Sequence, residues 1–287
     1  MQACLRKNSE MWKPEGIIFN KHHAQLPTVM KLSEDMMRCY YSTRIDGKSH
    51  IKFFDINSET MDITEGFYAL YPGERGAFDH AGVMPSCIVQ TNGFTLMYYT
   101  GWHLKQDVPY GHSIGVSVIK KDGTLSRISE GPILSLSRHD QYLVNSPCVE
   151  FVDNKWKMLY CHGTGWIDQY PTYNIGEALG CSAFDWQVTG TCAITHKLPD
   201  EAISRVSKDP ENSDLYYSWR TKDSSYRISK LSQGKQLEVK IERSEWDSDM
   251  QCYPFIHKQG SNKYLFYNGN GYGATGIGVA KWKTDIT

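Results

Sequence analysis

Apolar positions in this chain come in short bursts, not in long runs. The clearest burst is Phe78-Asp79-His80-Ala81-Gly82-Val83-Met84-Pro85-Ser86-Cys87-Ile88-Val89, followed by Leu96-Met97-Tyr98-Tyr99-Thr100-Gly101-Trp102. A polar lead-in reaches a proline at a strand start, an apolar strand follows, Thr91-Asn92-Gly93 turns the chain, and a second strand ends in aromatics. The same order recurs at Gln25-Leu26-Pro27 with Tyr40-Tyr41-Ser42, at Asn145-Ser146-Pro147 with Tyr160-Cys161, at Ser204-Arg205-Val206 with Tyr216-Tyr217-Ser218, and at Cys252-Tyr253-Pro254 with Tyr267-Asn268. The anchors 27, 85, 147, 206 and 254 lie 58, 62, 59 and 48 residues apart, and the second tyrosine follows its anchor by 14, 14, 13, 11 and 13.

A third strand closes several copies, as at His50-Ile51-Lys52-Phe53-Phe54, Ile114-Gly115-Val116, Asn174-Ile175-Gly176 and Ile277-Gly278-Val279. Units of roughly 40–60 residues with three or four strands are the signature of propeller blades, since one such sheet must stack on its neighbours to bury both faces. The pattern predicts an all-β, five-bladed propeller filling one domain, residues 1–287, with blades near 19–63, 64–133, 134–195, 196–241 and 242–282. Residues 1–18 would supply a strand that closes the ring. A sandwich or a pair of small β domains would not account for the period.

Composition narrows the partners. Charge is balanced, 31 basic against 32 acidic residues, so nothing points to nucleic acid or an anionic membrane. The N-terminus has no apolar signal core, and no run nears the roughly 20 apolar residues of a bilayer span, which predicts a soluble cytoplasmic protein. The eight cysteines show no CxxC spacing and read as buried thiols. No cofactor is expected, and a metal held by His23, Asp79 and His80 has no diagnostic spacing.

In a propeller the innermost strands line the channel, so residues just before each anchor converge. These are His22, His23 and Gln25; Asp79 and His80; Asn145 and Ser146; Ser204 and Arg205; Asp249 and Gln251. A second ring stands three positions past each second tyrosine: Arg44, Trp102, Gly163, Arg220 and Asn270. Arg44, Arg205 and Arg220 aimed at one pocket either pair with Asp79 and Asp249 or bind an anionic ligand. Trp102 and Tyr272 could stack on a sugar ring. The long loops 101–112 and 162–173 could cover the pocket. Asn268-Gly269-Asn270-Gly271-Tyr272-Gly273 reads as a tight loop, not a phosphate cradle, because no helix follows.

Through its strand-opening prolines, the Phe78–Pro85 motif and the Tyr-Tyr-Ser/Thr strands, nearly the whole chain resembles the five-bladed propeller glycosidases of glycoside hydrolase families 43 and 32 and the family 130 phosphorylases. It also looks like uncharacterised propellers of bacterial surface-polysaccharide clusters. The resemblance implies two carboxylates flanking a glycosidic bond. This chain departs from it: Leu26 and Ser146 stand where family 43 places acids, Arg205 occupies the fourth-blade neighbourhood, and Glu130-Gly131-Pro132 falls at an outer edge. If the chain is catalytic, Asp79, Asp249 and His23 are the acid and base candidates, with Asp79 first; Gln25, Arg44, His80, Trp102, Asn145, Arg205, Arg220 and Gln251 would bind substrate. Two functions stay open. One is an enzyme acting on an anionic, phosphorylated or nucleotide-linked sugar in surface-polysaccharide biosynthesis, with carboxylates about 5–9.5 Å apart. The other is a propeller that binds glycan or partner without turnover.

Overall fold

The computed structural model describes residues 10–284 except 22 and 92. Twenty strands follow one another: β1 (Glu10–Phe19), β2 (Gln25–Lys31), β3 (Met36–Ile45), β4 (Lys48–Asn57), β5 (Phe67–Leu70), β6 (Gly82–Gln90), β7 (Thr95–His103), β8 (Gly111–Ile119), β9 (Leu125–Arg127), β10 (Val144–Val152), β11 (Lys155–Ile167), β12 (Tyr170–Gly180), β13 (Trp186–Ile194), β14 (Ala202–Lys208), β15 (Leu215–Arg220), β16 (Arg227–Ser232), β17 (Lys235–Glu238), β18 (Cys252–Gln259), β19 (Asn262–Asn268) and β20 (Ile277–Thr284). They pair antiparallel in successive groups, β2-β3-β4-β5, β6-β7-β8-β9, β10-β11-β12-β13, β14-β15-β16-β17 and β18-β19-β20-β1. Parallel contact between groups is confined to single bridges, Ser49 with Gly82 and Tyr173 with Ala202.

The N-terminal strand completes the last group by pairing with the C-terminal one, Trp12 opposite Trp282. Of the segment 1–18 expected to close the ring, residues 1–9 lie outside the described residues, as does His22.

The paired tyrosines show why the groups stack. Side chains alternate across a strand, so a Tyr-Tyr dipeptide puts one ring on each face. Tyr40 packs with Val83 and Met97 of the second group, while Tyr41 packs with Phe266 and Val279 of the last. Tyr98 and Tyr99 divide in the same way, as do Tyr216 and Tyr217. Each group is thus buried on both faces, and an apolar cluster joins each consecutive pair, including last to first. Among the described residues no helix is long and apolar enough to cross a membrane.

One expected loop is something else. The stretch 162–173 is mostly ladder, because β11 runs to Ile167 and β12 starts at Tyr170, leaving only Asp168 and Gln169 between them. Facing threonines support the hairpin, Thr164 Oγ1 lying 2.8 Å from Thr172 Oγ1.

Candidate functional site

The inner strands β2, β6, β10, β14 and β18 all break register at the anchor, with bulges between Gln25 and Thr28, Pro85 and Cys87, Asn145 and Cys148, Ser204 and Ser207, and Cys252 and Phe255. In four copies the residue before the anchor is left-handed: Leu26 at φ 60°, Ser146 at 49°, Arg205 at 49° and Tyr253 at 56°. Such conformations are costly for these residue types, and a bulge re-aims the side chain it carries.

The bulge also frees a backbone N–H, and the neighbouring group supplies its acceptor. Leu26 N–H donates to Asn268 Oδ1 (2.8 Å), Ser146 N–H to Thr100 Oγ1 (2.9 Å), Arg205 N–H to Cys161 Sγ (3.2 Å) and Tyr253 N–H to Ser218 Oγ (2.7 Å). Each acceptor is the residue after a second tyrosine or, in the third group, the residue in that register. This is the physical reason a polar residue recurs at that position: a buried N–H without an acceptor costs free energy.

Leu26, Met84, Ser146 and Tyr253 line a cavity of about 390 Å³ at the mouth of the channel. Of the residues singled out in the sequence, His23, Gln25, Arg44, Trp102, Asn145, Ser146, Ser204, Arg220 and Tyr272 line it as well. Gln25 Nε2–H donates to the Tyr272 carbonyl at 2.7 Å. Arg44 is exposed, with its guanidinium 5.5 Å from the ring centroid of Trp102. Trp102 seats against Gly82, where a Cβ would come within 2.1 Å of the indole nitrogen, so only glycine admits the ring. Arg220 is 6% exposed and lies 5.4 Å from the ring centroid of Tyr170 and 5.3 Å from that of Tyr226. Its Nη atoms donate to the carbonyls of Pro171 (3.1 Å) and Thr221 (3.4 Å), and its buried Nε–H has no acceptor. Among the described residues no carboxylate lies within ion-pair distance of Arg44 or Arg220.

The other singled-out residues sit elsewhere. Asp79 is 1% exposed, ion-paired with Arg127 (2.7 Å) and accepting from the Tyr99 hydroxyl (3.3 Å). It does not line the cavity. The sequence holds the reason: Asp140 accepts from Tyr160 (2.9 Å) and Asp247 from Tyr267 (3.0 Å), each pair 20 residues apart like Asp79 and Tyr99. Asp79 is thus one copy of a repeated brace on the loop leading into an inner strand.

Asp249 is exposed and accepts from Ser225 Oγ (2.9 Å) outside the lining. The two carboxylates therefore do not face one another across the cavity. His80 Nδ1 lies 2.8 Å from the Ala77 carbonyl, also outside the lining. Gln251 is buried against Asp247 (2.7 Å) and borders a larger open cleft of about 930 Å³ at the seam of the last two groups. That cleft mixes acids and bases, and the converging residues reach it only through Gln251.

Arg205 differs most from expectation. It is 2% exposed and lies outside the lining, spanning the channel to the carbonyls of Pro85 (3.1 Å) and Pro27 (2.6 Å) and to Thr28 Oγ1 (3.0 Å). Desolvation pulls its pKa down to about 10, which leaves it charged at neutral pH.

Sequence reasoning missed part of the aromatic wall, Tyr226 and Tyr253, and placed Tyr170 and Tyr173 only in a covering loop. It placed Tyr110 and His112 likewise only in a covering loop. Burial raises the phenol pKa of Tyr110 and Tyr226, the latter to about 12, so both stay neutral. His112 stacks on Tyr110 at 4.6 Å and accepts at Nδ1 from Asn145 Nδ2 (3.1 Å). Desolvation first, and His103 second, push its pKa down to about 3, so it is neutral as well. Among the described residues the lining holds two arginines and no Asp, Glu or Lys.

At Leu26 and Ser146, where the family resemblance expects acids, the cavity wall carries a hydrocarbon and a hydroxyl. The geometry can hold an anion and stack on rings. It offers no pair of acids for a glycosidic bond.

No protein-family model matches this chain. The uncharacterized protein Rv1502 of Mycobacterium tuberculosis is 28% identical over 297 residues, covering 96% of this chain and 98% of that protein. Among solved structures, a glycoside hydrolase superposes with a TM-score of 0.75 at 14% identity, over 95% of this chain and 92% of that one. A glycosyl hydrolase from Bacteroides ovatus gives 0.65 at 12% identity, over 92% and 85%. A GH32 β-fructofuranosidase of Bombyx mori in complex with sucrose gives 0.64 at 13% identity, over 91% and 61%. The chain thus has the fold of the glycoside hydrolase-like β-propellers.

Proposed function

We propose that this protein is a carbohydrate-binding propeller whose mouth cavity holds an anionic saccharide. The observation that carries the reading is a buried guanidinium, Arg220, with an unpaired Nε–H and no carboxylate within ion-pair distance among the described residues. A buried charge is costly unless compensated, and a ligand anion supplies the compensation. Trp102 and the tyrosines suit the C–H face and hydroxyls of a sugar. The solved neighbours lend support, since one of them holds sucrose.

The reading takes residues 1–287 as one five-bladed domain, with an acidic or phosphorylated sugar of the kind handled in surface-polysaccharide biosynthesis as ligand. It is binding without two-carboxylate hydrolysis, because among the described residues the lining contains no Asp or Glu.

A thermal-shift screen with glucuronate, glucose 1-phosphate, a nucleotide-linked glucose and neutral oligosaccharides tests it. A ligand at 100 times its Kd should add about 2.7 kcal/mol of stability. Stabilisation by an anionic sugar that disappears in Arg220→Ala is expected. A response to neutral sugars alone, or one that survives in that variant, would overturn the reading.

A further inference from the structure

We infer that the anion read by Arg220 is the carboxylate of an acidic sugar and not a phosphate. The inference rests on the anion-binding reading above and goes on to name the ligand's charged group. A guanidinium presents all five N–H donors in its own plane. The rings of Tyr170 and Tyr226 pack against Arg220, with centroids 5.4 and 5.3 Å from Cζ. They crowd the guanidinium, while its Nε–H is left without an acceptor.

Two N–H groups are already spent on the carbonyls of Pro171 and Thr221, and these hold the guanidinium in place while Nε–H has no acceptor. A carboxylate is flat and accepts two parallel N–H bonds in the donor plane. A tetrahedral phosphate keeps at least one oxygen outside that plane, beyond the reach of the same fork.

The charge count agrees. A phosphate monoester carries about −1.5 to −2 at neutral pH. The lining offers no lysine to share that charge, and its second arginine, Arg44, is exposed. Nor does the glycine-rich loop form a phosphate cradle. Its Tyr272 N–H is spent on Met250 Sδ (3.3 Å), its Ala274 N–H on the Gly271 carbonyl (3.2 Å) and its Thr275 N–H on the Asn270 carbonyl (3.4 Å).

The test is calorimetric titration of wild type and Arg220→Lys with acid and phosphate partners of one ring: glucuronate against glucose 1-phosphate, galacturonate against galactose 1-phosphate, with glucose as neutral reference. In wild type at least one acid should bind about tenfold or more tighter than its phosphate partner. Arg220→Lys keeps the charge but loses the planar fork, so it should cost that acid about tenfold while altering the phosphate by less than about threefold. Phosphates that match or outbind their acids in wild type would overturn the carboxylate assignment and leave the anion site standing. Anions that bind no better than glucose would remove the anion site itself. The wild-type ranking does not depend on how well the variant folds.

Discussion

Arg205 and Arg220 lie on consecutive strands of one group and are withdrawn from water to a similar degree, 2% and 6% exposed. Their surroundings differ. Arg205 bonds two main-chain carbonyls and a hydroxyl from the first two groups, so its charge is spent on holding the ring across the channel. Arg220 bonds its own hairpin and the one before it, and faces a cavity without acids. The same residue type at the same depth is a brace in one place and, in the proposed reading, a receptor in the other. Each keeps a buried Nε–H without an acceptor, so what separates them is place: the Nη donors of Arg205 reach acceptors across the channel outside the cavity, while Arg220 lines the cavity itself.

The most severe challenge to this contrast is Arg205→Ala. Three acceptors from two groups would lose a charged donor, and hydrogen bonds to charged groups are each worth about 1.5–3 kcal/mol, so a loss of about 3 kcal/mol or more is expected. Urea unfolding measures it; a change below about 0.5 kcal/mol would mean the channel contacts hold nothing together.

Next comes Asp79→Asn, which leaves Arg127 without its acid and weakens the brace on Tyr99. Removing one partner of a buried pair costs about 3–5 kcal/mol, and the figure is reduced here because Arg127 is 27% exposed; about 2 kcal/mol is expected. Ligand-induced stabilisation should survive. An intact melting temperature with binding abolished would return Asp79 to the site.

Arg220→Ala should reverse the pattern, with free-protein stability unchanged or raised and the ligand-induced gain of about 2.7 kcal/mol at 100 Kd gone. Equal loss of stability in Arg220→Ala and Arg205→Ala would erase the distinction between them.

Acid titration probes the cavity from another side. The folded pKa of His112 is depressed to about 3 against an ordinary value near 6.5. The unfolded chain therefore takes up this proton first, so the contribution is complete above about pH 6.5 and lost as pH falls toward 3. Melting temperature followed against pH should decline over that window, and His112→Gln should flatten the decline. A curve unchanged by the substitution would show that His112 is not held neutral.

The mildest effect is expected for Arg44→Ala. Exposed and resting on Trp102, Arg44 should contribute a few-fold to anion affinity, and that contribution should shrink with added salt. Salt-independent affinity in this variant and in wild type would exclude it from the cavity's field.

The ring of repeats was legible because stacking leaves marks on both faces of a strand. Tyr40-Tyr41, Tyr98-Tyr99 and Tyr216-Tyr217 are needed wherever a sheet has a neighbour on each side. The Asp-to-Tyr spacing of 20 is equally present in the sequence, and it marks Asp79 as one brace among three. The aromatic wall was legible only as loops that cover the pocket, because Tyr170, Tyr173 and Tyr226 occupy hairpins and turns outside the repeated positions.

The order of residues is enough to dictate the β architecture, the period, and the set of polar residues and arginines directed toward one end of the channel. Alternation along a strand and recurrence between strands are one-dimensional properties. Which of those residues meet a ligand is settled only in three dimensions. A left-handed bulge turns Leu26, Ser146 and Tyr253 into the cavity wall, while the same bulge sends Arg205 across the channel to Pro27 and Pro85. Whether a side chain reaches the cavity or another strand depends on its length and on which acceptors lie within reach, and those distances exist only once the ring has closed.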